Sequence, residues 1–216
     1  MQNLEAIYTK YKNERDSYNE NFRLKIHRAF SWLKQAEKTE ELDIQFINLW
    51  IAFNALYAKE MLAQTGDRSS FVDYLATICR LDKSQQIHQI IWKTYSGSIR
   101  VLLDNQYTFQ PFWDFYNGKF SETAWKEDFE KAKKKAFGAL TNKDTHGALI
   151  TIFDRLYTIR NQILHGGATF NSSANREQLA DACKILRDLV PTILAIMLEN
   201  HSEADWGKAF YPYIQS

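Results

Sequence analysis

Arg160, Asn161 and His165 bring reactive side chains together in one short run, Arg160-Asn161-Gln162-Ile163-Leu164-His165, closed by Gly166 and Gly167. An imidazole titrates near neutrality and can take or give a proton. A guanidinium is a fixed cationic fork that suits a phosphate and its transition-state charge. The amide of Asn161 can orient a substrate or the ring. Together the three can support proton transfer at a phosphate. An arginine and a histidine at such spacing also arise by chance in helices, and Arg23 with His27 is such a pair with nothing else around it. A structural reading stands beside the chemical one. His165 at a helix end can cap carbonyls and complement the helix dipole, and Arg160 can pair with an acid such as Asp154.

The element that must position these groups runs over 149–167. Ile152, Leu156, Ile159 and Ile163 recur at helical spacing and predict a core face. Asp154, Tyr157 or Thr158, Asn161 and His165 recur at the same spacing and predict a polar strip. Asp154 and Tyr157 therefore join the set as candidate substrate-binding residues. Gly166 and Gly167 should stop the helix, because glycine takes the left-handed conformation at little cost. On one straight helix Arg160 and His165 project about 140° apart. Bringing both to one phosphate requires a second copy of the chain or unwinding at Gly166.

The rest of the chain reads as helices. Its 216 residues hold 3 Pro and 8 Gly, against 45% hydrophobic and 25% charged residues, which predicts long helices around a real core. No strand-like alternation, repeat or glycine-rich phosphate loop is present. The fold class expected is all-α, in a single domain over 1–216. Amphipathic helices are expected over 3–19 and 21–37, the second with Lys25, Arg28 and Lys34 facing out, before a break at Thr39-Glu40-Glu41. A helix over 42–63 is apolar nearly all round and so central. Asn54 within it bonds to a neighbouring helix or points into a site shared with the 149–167 helix, where it would be a further substrate-binding candidate.

Further helices are expected from Ser69 or Ser70 to Arg80, over 84–103 with a kink near Ser96-Gly97-Ser98, from Pro111, and from Ser121 to Leu140. The last, over 176–200, should bend or break at Pro191. The core is assigned to about 21–64 and 145–200, a helical insertion to about 65–144 and an aromatic tail to 201–216.

A net charge of +1 excludes no partner, since nucleic acid needs only a local basic patch. Lys131 to Lys135 can be such a patch or a solvated helix face. The aromatics of 107–116 can stack bases or pack a core. Cys79 and Cys183 sit in apolar patterns without CxxC spacing and read as core residues in a reducing compartment. The histidines show no metal-ligand spacing, so neither metal nor other cofactor is expected. With no signal peptide or bilayer-length apolar run in view, a cytoplasmic location without membrane contact is expected.

Arg160-Asn161-x3-His165 before glycine, with the apolar stretch Leu49-Trp50-Ile51-Ala52-Phe53-Asn54-Ala55-Leu56-Tyr57, resembles HEPN-domain proteins over roughly half of the chain. There an Arg, often followed by Asn, precedes a His on the third helix of a four-helix up-and-down bundle. The resemblance implies core helices near 21–37, 42–63, 145–165 and 176–200, with extra helices inserted between the second and third. It also implies metal-independent RNA cleavage by homodimers whose paired helix ends form one cleft. Arg160, His165 and Asn161 would then be catalytic, the nucleophile being the RNA 2′-hydroxyl and the product a cyclic phosphate. The alternative is a non-catalytic RNA- or nucleotide-binding or protein-interaction module, and either version leaves room for a regulatory protein partner. Many toxin members carry a Tyr two residues after the His, where an antitoxin modifies it; Gly167 occupies that position here.

Overall fold

The computed structural model describes residues 3–58, 67–173, 175–209 and 211, and among these the regular structure is helical, with no strand. In chain order the helices are α1 (Leu4–Glu14), α2 (Glu20–Glu37), α3 (Leu42–Tyr57), α4 (Asp67–Leu81), α5 (Gln86–Gln89) and α6 (Ser96–Asp104). They continue with α7 (Gln110–Tyr116), α8 (Glu122–Thr141), α9 (Thr145–Leu164) and α10 (Arg176–Glu199). A π-helical stretch, Ile90–Thr94, follows α5, and short 3-10 turns cover Arg15–Ser17 and Gln106–Thr108. The chain divides into two compact units, one formed by 1–86 with 183–216 and the other by 87–182.

In the first unit α2 and α3 pack along one another as a helical hairpin. Asn19 caps α2 by accepting the Phe22 amide, and Phe22, Ile26, Ala29, Phe30 and Leu33 form its buried face, as their spacing predicts. Lys25 departs from expectation. It is 1% exposed, and its Nζ donates to the carbonyls of Ala58 at 2.5 Å and Leu56 at 3.5 Å. It lies on the apolar stripe between Phe22 and Ala29, and the loose carbonyls at the end of α3 give a buried amine its partners. α3 ends at Tyr57, because Ala58 takes an extended backbone (φ −60°, ψ 128°). The rest of the helix predicted there, 59–63, lies outside the described residues.

α3 is also less uniform than its composition implies. Ile44 is 46% exposed, while Asp43, Gln45 and Asn48 are buried. Gln45 satisfies itself by donating to the carbonyls of Ala36 and Thr39 and accepting from Arg187 Nη2 at 2.7 Å. α4 begins at Asp67, ahead of the predicted Ser69 or Ser70 start. Cys183 is buried, with its thiol 3.5 Å from the Leu42 carbonyl, and Cys79 is half-buried. Pro191 does not end α10, which stays helical from Arg176 to Glu199; the Arg187 carbonyl simply lacks its i+4 amide. Trp206 and Ala209 of the tail are buried, and Arg28 Nη2 holds the Tyr211 carbonyl at 2.6 Å.

In the second unit α9 packs against α8, α6 and the 3-10 turn at Gln106–Thr108, and α7 packs on α8. The helix predicted over 84–103 is divided at Tyr95 (φ −120°, ψ 20°), one residue before the predicted kink. Ser121 caps α8 as predicted, accepting the Ala124 amide. Among the described residues no helix is long and apolar enough to cross a membrane.

Candidate functional site at the end of α9

Asp144 starts α9 by accepting the Gly147 amide at 3.0 Å. Ala148, Leu149, Ile152, Phe153, Leu156 and Ile159 are buried and anchor the helix, while Ile163 is only half-buried. The helix then closes as the paired glycines predict. Gly166 sits at φ +70°, its amide bonds the Ile163 carbonyl at 3.3 Å, and the Gly167 amide bonds the Gln162 carbonyl at 2.7 Å. These are the two bonds of a Schellman closure, which needs a left-handed residue just beyond the cap. His165 is that cap, its own amide bonding the Asn161 carbonyl at 3.0 Å, and its side chain is exposed.

The polar strip exists on the surface of α9. Asp154 and Asn161 are half-buried and Tyr157 is 43% exposed. Thr158, the other candidate at that position, is buried, with its hydroxyl bonded to the Asp154 carbonyl at 3.2 Å. Arg160 is half-buried. Its Nη1 donates to Asn161 Oδ1 at 2.9 Å, and its guanidinium lies 5.7 Å from the Tyr157 ring centroid. Among the described residues it makes no ion pair, so Asp154 is not its partner, and its Nε is buried without a hydrogen bond. The cation is therefore steered by a neutral amide and an aromatic face.

Asn54 belongs to α3 in the first unit, whereas the other candidates belong to α9 in the second. Its Oδ1 is buried with no hydrogen-bond partner among the described residues. The lysine run is largely a solvated face. Lys131 pairs with Asp128 at 3.7 Å, and Lys133 pairs with Asp104 at 2.5 Å, leaving Lys134 and Lys135 as exposed cations. The aromatics of 107–116 mostly pack on one another and on α8, as in the edge-on Phe112–Trp125 pair at 5.1 Å, although Tyr107 and Tyr116 remain exposed. No cluster of three or more His, Cys, Asp or Glu able to hold a metal is found among the described residues.

Sequence reasoning passed over two residues on the same helix. Arg155 is 2% exposed, with its guanidinium 4.5 Å from the Phe109 ring centroid and 5.4 Å from that of Phe129. Its Nη2 donates to the Leu103 carbonyl at 3.2 Å. Burial depresses its pKa to about 10, opposed by the nearby Asp154 charge. Gln162 donates through Nε2 to the Tyr107 carbonyl at 2.6 Å. The signal was present: both stand on the stripe that carries Ile152 and Ile159, where a polar residue needs a buried partner.

The chain matches no family model, no curated protein and no solved structure.

Proposed function

We propose that the protein is a metal-independent endoribonuclease of the HEPN type, its core helices forming that family's bundle and its active site composed from two copies of the chain. The observation that carries this reading is the end of α9, where an exposed imidazole follows a guanidinium that makes no ion pair among the described residues, on a glycine-closed helix. In the reaction the 2′-oxygen of RNA attacks the adjacent phosphorus and loses its proton to a base. The bond from phosphorus to the 5′-oxygen breaks, and the leaving oxygen takes up a proton. His165 serves one or other proton transfer. Arg160 meets the charge that builds on the phosphoryl oxygens, and Asn161 fixes its direction. The angular separation of Arg160 and His165 on α9 is the reason for a second copy, whose α9 supplies the missing half.

Purified protein incubated with RNA in EDTA should leave cyclic phosphate ends and sediment as a dimer. His165→Ala and Arg160→Ala should each lower the rate at least about 100-fold, the scale of removing one acid–base or charge-stabilising group. Undiminished cutting by both variants, or a strict monomer that still cuts, overturns the assignment. RNA binding without turnover identifies the protein as a non-catalytic module instead.

A further inference from the structure

Arg155 and Gln162 lie seven residues apart on α9, so they project from it within about 20° of one another. Both send side-chain N–H groups to main-chain carbonyls of one short segment, Arg155 to Leu103 at 3.2 Å and Gln162 to Tyr107 at 2.6 Å. That segment is itself fixed. Asn105 Oδ1 accepts the Tyr107 amide at 2.8 Å, and Thr108, 1% exposed, turns its hydroxyl onto the carbonyls of Leu102 and Asn105. Trp113 Nε1 donates to the Tyr107 carbonyl at 2.9 Å, so this one oxygen accepts two donors. Gln162 has a second tie, because its own carbonyl accepts the Gly167 amide in the bond that closes the helix around His165.

We propose that the 103–107 segment is part of the site and that Gln162 is a positioning residue for His165. The proposal rests on the endoribonuclease reading above. One residue is fastened by its side chain to a rigid segment and by its backbone to the turn that presents the imidazole. Rotation or fraying of the last turn of α9 must break the first tie or the second. The backbone that carries the imidazole is thus held from outside its own helix, and small misplacement of a catalytic group is costly to the chemical step. The exposed Tyr107 ring stands on the same anchored backbone, at the edge of the site.

The test compares Gln162→Leu, which keeps bulk and removes the donor, with Gln162→Lys, which restores a donor. Two readouts are taken: steady-state cleavage of an RNA oligonucleotide, and hydrogen exchange at the Gly166 and Gly167 amides. Gln162→Leu should lower kcat about tenfold or more with KM nearly unchanged, and should speed exchange at both glycines by a similar factor. Gln162→Lys should recover most of both. Parental kcat and exchange in folded Gln162→Leu overturn the proposal. So does Gln162→Lys behaving like Gln162→Leu. If the parent does not cut RNA, the endoribonuclease reading fails by itself, and exchange at the glycines still decides whether Gln162 holds the turn.

Discussion

Gly138 and Gly166 lie in the same unit, and the same substitution should move stability in opposite directions at the two positions. Beyond the local backbone, neither has a heavy atom within 4 Å of where a Cβ would stand, so conflict with the rest of the fold is removed from the comparison. Gly138 lies inside α8, where alanine replaces the least restrained residue with the best helix former; Gly138→Ala should stabilise by about 0.5–1 kcal/mol. Gly166 sits at φ +70°, where an L side chain meets the following carbonyl; Gly166→Ala should cost roughly 1–2 kcal/mol. The gap between the two variants is then about 2 kcal/mol. At about 2–4 °C per kcal/mol for a chain of this size, thermal unfolding followed by circular dichroism should separate their midpoints by roughly 4–8 °C. On the endoribonuclease reading proposed above, Gly166→Ala should also reduce RNA cleavage beyond its effect on folding, because the residue it strains follows His165 directly. Equal midpoints, or a stabilised Gly166→Ala, would refute the glycine closure on which the presentation of His165 depends.

Asp144→Ala removes the cap on the Gly147 amide and should cost about 1 kcal/mol in urea unfolding, with His165 still exposed. Lys25→Met leaves the Leu56 and Ala58 carbonyls without their buried donor and should destabilise by about 1–3 kcal/mol; an unchanged urea midpoint would mean the amine reaches solvent. Stability should fall as pH rises past about 10. Burial, first of all, holds the phenols of Tyr11, Tyr18 and Tyr74 above their ordinary value of 10.0, so the unfolded chain loses those protons first and is favoured. Arg155, depressed to about 10, has the opposite slope, because its unfolded form keeps the proton longer, but one guanidinium opposes three phenols. In an alkaline titration the last phenolate absorbance should appear together with loss of helical circular dichroism. Complete phenolate formation with the helices intact would contradict the burial of Tyr74.

The all-helical character was legible because proline and glycine are scarce and apolar residues recur at helical spacing. The end of α9 was legible for the same local reason: two glycines after a periodic run have one common use. Lys25 was misread because a charge on an amphipathic helix ordinarily faces water, and the carbonyls that draw it inward belong to a helix more than thirty residues away. The end of α3 could not be read from its apolar pattern, which continues past Tyr57. Arg155 and Gln162 escaped for a related reason. Their positions on the core stripe were visible, but their partners are the main-chain oxygens of Leu103 and Tyr107, which no side-chain pattern announces. Side-chain contacts within one helix follow from spacing, whereas contacts to a distant carbonyl do not.

The two arginines of α9 differ in what a reagent can do to them. Arg155 has its guanidinium beside the Phe109 and Phe129 rings and is sealed from water, while Arg160 is partly open. A dicarbonyl that condenses with guanidinium groups should therefore label the outer arginine of this helix and spare the inner one. The blocked tryptic cleavage that results would fall after Arg160, giving a mass signature of the open site that needs no substrate.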